Sequence, residues 1–349
     1  MKVLCIGNSC IETTCQIDKQ IVENEEIKIT EKMDNGGGTA GNIAYLLGKW
    51  GVETYIASML GADDFANKIK KEYETVGVKT DFIETAFDRG TNQKVILVNK
   101  TTKNNIVLDL NNGSLLKKYA FSVEPNIIIT DGTDYNASLA AFDRYPKASS
   151  FLSITNPYPE AIEIGKYVNC IILNKKSAEA ITNLKVNYDE SGTIVNIYNK
   201  LKQKYSKAEI IVTLGERGCV YSINGQVKIM PTVRVDVVDT YGAGSVFVGS
   251  FVYAMGRNFG LEKSIAYASI ASSLSTSKMT ARKSIPSLGE VSNYYDEKFG
   301  SGNNPNNQVA NNIEQNAVNM QTTQEEFQIN INSTDINTTT NENVNEQNS

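Results

Sequence analysis

Residues 239–247 read DTYGAGSVF, and the placing of this stretch decides the fold. The alternating run 233–238 (VRVDVV) leads into it as an expected strand, and an apolar helical pattern leaves it near Ser245. Between them, Gly242, Ala243 and Gly244 let the backbone turn tightly, so that successive N–H groups converge in front of a helix start. That arrangement is an oxyanion hole for a phosphoryl group in transfer. A bare Gly-x-Gly also serves as a plain turn, but the flanking Asp239-Thr240 and Phe247 make this one specific.

Upstream, short apolar runs alternate with amphipathic helical patterns, which predicts an α/β fold: a mostly parallel sheet with helices on both faces. Strands are expected at 3–7, 127–130, 151–154, 170–173 and 209–214, and helices at 40–50, 63–76 and 193–205. Asn224-Gly225 between the alternating runs 219–223 and 226–230 predicts a type I′ hairpin. Three partly polar runs of period two, at 26–30 (EIKIT), 93–98 and 105–110, do not suit the centre of a parallel sheet. They predict a small antiparallel sheet standing off the main body, a candidate lid; surface hairpins are the alternative. From Ser301 the chain turns rich in Asn, Gln and Thr, so 299–349 reads as a disordered tail.

The chain has 349 residues, 41% apolar, with a net charge of −5 and acids and bases mixed along it. That balance gives no basis for a nucleic-acid or membrane partner. There is no histidine, which excludes a Ser–His–Asp triad, histidine acid–base chemistry and histidine metal ligands. Cys5, Cys10, Cys15, Cys170 and Cys219 lack CxxC spacing and read as small core hydrophobes. No apolar run reaches transmembrane length, and the opening MKVLCIG reads as a strand rather than a signal peptide, so the cytoplasm is the expected location.

Three further glycine-bearing turns accompany the first. They are 34–42 (DNGGGTAGN), which feeds a helix and brings Asn42 to a cleft, 60–64 (LGADD), and 213–218 (TLGERG) at a strand end. Most lie where open α/β sheets bind ligands, at the carboxyl ends of strands.

With these in place, residues 1 to about 295 resemble the ribokinase/PfkB family of carbohydrate and nucleoside kinases, and 1–298 reads as the kinase-like domain. The motifs are VLCIGNSCIE, NGGGTAGNIA, LGADDF, the Asn174 segment, VTLGERG, VDVVDTYGAGSVFVGSF and SIPSLGEV. The resemblance implies a three-layer α/β/α domain with a β lid, drawn from about 12–34 and 90–112. It also implies ATP with Mg²⁺ as donor, a sugar or nucleoside as acceptor, and a homodimer through the lid. Carried over, Gly242, Ala243 and Gly244 form the anion hole and Asp239 organises the cation and phosphate region. Thr213, Gly215, Gly218 and Asn174 line the nucleotide site, while Glu12, Gly37, Gly38 and Asn42 meet the acceptor.

The sequence departs from the family pattern at the position that matters most. Where the motif GAGD carries the aspartate that takes the acceptor's proton, this chain has Ser245. Glu12 stands for a shorter aspartate, and Ser177 for a glutamate that supports the magnesium waters, with Glu179 two residues on. Two functions therefore stay open: an impaired sugar kinase, or a binding protein of the pseudokinase kind.

Overall fold

The computed structural model describes residues 1–111, 113, 115–190 and 192–299; all of the expected tail but Phe299, which ends a helix, lies outside them. In chain order the strands are β1 (Lys2–Ile6), β2 (Cys10–Ile17), β3 (Ile29–Gly37), β4 (Glu53–Gly61), β5 (Lys79–Ala86), β6 (Gln93–Asn99) and β7 (Asn105–Leu110). They continue with β8 (Ile127–Thr130), β9 (Ser149–Ile154), β10 (Cys170–Asn174), β11 (Glu209–Thr213), β12 (Cys219–Ile223) and β13 (Gln226–Met230). The helices are α1 (Thr39–Lys49), α2 (Asp64–Thr75), α3 (Tyr135–Arg144), α4 (Pro159–Ile164), α5 (Lys175–Thr182) and α6 (Thr193–Lys204). Three more close the chain: α7 (Ala243–Gly256), α8 (Leu261–Ser275) and α9 (Leu288–Phe299).

The main sheet runs β13-β12-β11-β10-β9-β8-β1-β4-β5. It is parallel from β5 to β11, and the β12–β13 hairpin closes one edge antiparallel, turning at Asn224-Gly225 as expected. Its central strands are buried on both faces, so neighbouring residues feed opposite cores. Val3 and Cys5 pack with α1, α7 and α8, while Leu4 and Ile6 pack beneath α3. The chain order reverses at β1, between β8 and β4, which places the ligand crevice of an open sheet beyond β1.

The second sheet, β3-β2-β6-β7, stands over that crevice. Its outer ladders are antiparallel and the central β2–β6 ladder is parallel. The EIKIT run does not form its strand: only Ile29 and Thr30 belong to β3, which continues through the glycine run to Gly37. Likewise 231–237 forms no ladder before the GAG turn. Val238 and Asp239 instead donate their N–H groups to the Thr276 carbonyl after α8. In both places pairing partners outweighed local alternation, which is a weak cue in half-buried strands.

The five cysteines are free and buried. Burial pushes their thiols up, that of Cys219 to about 12, so they are inert core residues. No helix among the described residues is long and apolar enough to cross a membrane.

LGADD acts as a pin for the lid. Asp63 caps α2 by accepting the Ala66 N–H at 2.9 Å, and it also accepts the N–H and hydroxyl of Thr91, both at 2.7 Å, just before β6. Burial raises the Asp63 carboxyl, but the hydrogen bonds from Thr91 and Ala66 outweigh it and hold the pKa below the usual range. Its stabilisation is therefore complete above the ordinary carboxylate pKa and is lost as pH falls through the depressed one. Asp63→Ala is expected to cost about 1–2 kcal/mol in chemical denaturation at neutral pH, with the difference from wild type shrinking in acid.

Candidate functional site

The cradle is built at the start of α7. Gly242 is its N-cap with φ +87°, a backbone conformation that disfavours side chains. A Cβ there would also lie 2.5 Å from the Ala281 Cβ, so both conformation and packing require glycine. The first N–H groups of a helix have no partner within it. Ala243 N–H reaches back to the Thr240 carbonyl at 3.4 Å, and Val246 N–H is the first to bond the Gly242 carbonyl, at 3.1 Å. The N–H groups between them face a cleft of about 1870 Å³, roomy enough for a nucleotide together with a second small molecule.

Glu12, Asn42, Asn174, Thr213, Gly215, Gly218, Gly242, Ala243, Gly244 and Ser245 all line this one cleft. Sequence positions more than 200 apart are thus brought to one surface. Gly37, Gly38 and Asp239 stand behind its wall and shape it. Asp239 is 1% exposed and accepts the N–H groups of Tyr241 (2.8 Å) and Thr280 (3.2 Å), so it braces the cradle from beneath. Burial raises its carboxyl above the usual range despite those bonds.

Asn174 caps α5 by accepting the Ser177 N–H, and its amide donates to the Thr155 carbonyl. Ser177 is fully buried, and Glu179 is tied to the Val186 N–H and to Lys185. Glu179 therefore does not stand in for the missing glutamate.

Elsewhere along the cleft, Glu12 is 3% exposed and takes the Gly38 N–H at 2.9 Å, the Tyr241 hydroxyl at 2.8 Å and the Asn42 amide at 3.5 Å. The Glu12 carboxyl lies where a Cβ on Gly37 would have to be, which explains that glycine. Asn42 in turn accepts from the buried Arg282, which pairs with Glu72 at 2.7 Å. This chain of contacts runs unbroken from α2 to the cradle.

Sequence reasoning missed Tyr241, Lys94 and the lid latch. Tyr241 sits inside the quoted motif, but nothing local shows that its ring reaches Glu12. Burial, the Glu12 charge and the Cys10 sulfur push its phenol well up, so it stays a hydrogen-bond donor. Lys94 shares a face of β6 with buried Ile96 and Val98, a charged residue on an apolar stripe that was a usable signal. Burial opposes its charge, yet the Cys10 sulfur and the carboxylates of Asp109, Glu12 and Asp131 raise its pKa, so it remains an ammonium. At the mouth, Asn105 of β7 donates to the Thr240 hydroxyl at 3.2 Å, so the lid touches the cradle directly.

Comparison with known proteins gives consistent results. The pattern described as pfkB family carbohydrate kinase matches residues 1–288. Ribokinase of Staphylococcus aureus (strain COL) is 25% identical over 303 residues, covering 83% of this chain and 98% of that protein. Among solved structures, Arabidopsis thaliana ribokinase complexed with ribose and ATP superposes with a TM-score of 0.69 at 19% identity, covering 84% of this chain and 97% of the other. Ribokinase from Cryptococcus neoformans var. grubii serotype A in complex with ADP gives 0.70 at 19% identity, covering 84% and 99%. At such identities the structural likeness establishes the fold.

Proposed function

Because this chain belongs to the pfkB family of carbohydrate kinases, we propose that it binds ATP in the cleft and transfers the γ-phosphoryl group to a hydroxyl of a small sugar or nucleoside, slowly. The observation that carries this reading is the cradle: free N–H groups at the start of α7, opening into the same cleft as Glu12 and Asn42. Phosphoryl transfer runs largely on positioning and charge stabilisation, both of which this architecture supplies. The 1–298 segment then works as one kinase-like unit.

In this reading Thr213, Gly215 and Gly218 bear the nucleotide, with Asn174 holding the neighbouring turn. The N–H groups of Gly242–Ser245 hold the terminal phosphate, Asp239 fixes that loop, and Glu12 with Asn42 orients the acceptor, Gly37 and Gly38 bringing the backbone close. Mg²⁺ would come with the nucleotide. Such an ion would be held chiefly by the nucleotide's phosphates and by waters, with Asp239, buried behind the cleft wall, acting through the loop it braces. Bound there, it would neutralise phosphate charge.

Substrate-dependent ADP release over a panel of pentoses, hexoses and nucleosides tests the proposal. ATP turnover that rises with one acceptor supports it; turnover that ignores every acceptor, in wild type and in Ser245→Asp alike, refutes it. Tyr241→Phe frees one Glu12 lone pair and is expected to change KM for the acceptor several-fold while leaving KM for ATP unchanged.

A second reading, a non-catalytic ATP- or sugar-binding protein, is favoured by a specific observation. Ser245 offers no base, and Glu12 is already occupied by Tyr241, Gly38 and Asn42. Saturable binding by calorimetry without turnover supports it, and absence of binding removes it.

The lid also suggests a homodimer. The edge strand β7 exposes Ile106 (47%), Leu108 (50%) and Leu110 (56%) on one face, an apolar edge that isolated chains usually avoid. Leu108→Asp is expected to convert the dimer to a monomer by light scattering; a wild-type chain that is monomeric throughout contradicts this.

A further inference from the structure

We propose that Ser245 is itself a phosphoryl acceptor: with ATP in the cradle, the chain transfers one γ-phosphoryl group to its own Ser245 hydroxyl. This rests on the ATP-binding reading above and goes beyond it.

Two independent features meet at this residue. Ser245 is the third residue of the 14-residue helix α7, in the turn whose N–H groups are free to bind an oxyanion. Its side chain is only 8% exposed, lines the cleft beside Gly244, and has no hydrogen-bond partner among the described residues. The other hydroxyls around the cradle are engaged. Thr240 accepts from Asn105, Ser272 donates to the Ala243 carbonyl, and Thr276 donates to the Ser273 carbonyl. Ser245 is therefore the unclaimed hydroxyl nearest the anion hole.

Covalent geometry supplies the approach. A phosphate oxygen bonded to the Ser245 N–H lies about 2.9 Å from that nitrogen. The serine oxygen is fixed to the same residue, three bonds from that nitrogen, so rotation about χ1 can turn it toward the phosphorus, where a near-attack arrangement needs ~3–3.5 Å. An aspartate here would turn a carboxylate toward the same space, placed to take a proton from an acceptor hydroxyl. The substitution thus exchanges a proton acceptor for a nucleophile.

In the step, the Ser245 oxygen forms a bond to the γ-phosphorus. The bond from that phosphorus to the β,γ-bridging oxygen breaks, and ADP departs with the electron pair. The hydroxyl proton passes to water in the open cleft. The product is a phosphoserine in the first turn of α7, where the helix field and the remaining free N–H groups favour its charge. Occupying the cradle, it would also exclude the γ-phosphate of the next ATP, so the reaction stops at one event per chain.

The full chain is incubated with Mg²⁺ and γ-labelled ATP without sugar, followed by intact mass and peptide mapping. Binding of a non-hydrolysable ATP analogue is measured alongside by equilibrium dialysis. The expected result is up to one phosphoryl group per chain, located on Ser245, lost in Ser245→Ala and retained on the new hydroxyl in Ser245→Thr. Analogue binding with no phosphate on the chain, or with phosphate on Thr240 or elsewhere, overturns this inference and leaves the ATP reading standing. Absence of analogue binding overturns both.

Discussion

Ser245→Asp is expected to raise substrate-dependent ADP formation by about 10²–10⁴-fold, the range a positioned proton acceptor contributes, or roughly 3–5.5 kcal/mol of barrier. A serine hydroxyl cannot take up a proton near neutral pH, and no histidine exists to replace it. The nearby carboxylates are committed. Asp239 is buried beneath the loop, holding the N–H groups of Tyr241 and Thr280, and Glu12 holds those of Gly38 and Asn42 with the Tyr241 hydroxyl. The substitution also suits the helix, since an acid in the first turn is worth about 0.3–1 kcal/mol there. Stability should hold while turnover rises, as read by denaturation and a coupled ADP assay on the same preparation. Unchanged turnover with a correctly folded variant would show that more than the base is missing.

Gly242→Val is expected to lower turnover of the Ser245→Asp protein by about 10²–10³-fold, the loss that follows when oxyanion donors are misplaced. At φ +87° a side chain costs about 1–2 kcal/mol in backbone strain alone. A Cβ would stand 2.5 Å from the Ala281 Cβ and 2.8 Å from its Cα, atoms that cannot swing away. The neighbouring Thr280 is held by Asp239 at 3.2 Å, so the cradle itself must shift and its N–H groups diverge. Gly244 makes the contrast. A Cβ there meets nothing within 4 Å, so Gly244→Ala should fold as wild type and still weaken ATP binding, because the space it fills is the ligand's. ATP titrations and melting curves of both variants separate the two effects; equal stability and equal ATP affinity in all three proteins would contradict the assignment.

The main body of the fold was legible because its strands are short apolar runs buried on both faces, such as 127–130 and 170–173, and its helices carry clear apolar stripes. The lid was only partly legible. β6 and β7 alternate cleanly, but β3 ends in Asn35, Gly36 and Gly37, residues that signal a turn and become a strand only because β2 pairs with them. The segment before the cradle misled in the opposite sense, since VRVDVV alternates yet finds no ladder. At the site, glycines report themselves because their steric role is local. Tyr241 reaches Glu12 from 229 positions away, and no local spacing encodes that contact, whereas Lys94 meets Asp109 only once β6 and β7 pair in register.

The central claim is that the N–H groups of Gly242–Ser245 hold the terminal phosphate of a nucleotide. The most direct measurement is a crystal structure with a non-hydrolysable ATP analogue and Mg²⁺. The account predicts γ-phosphate oxygens within hydrogen-bond distance of those N–H groups, with the base and ribose running toward Thr213 and Gly218. A cleft left empty at saturating analogue, or a nucleotide whose phosphates lie away from the start of α7, would contradict it.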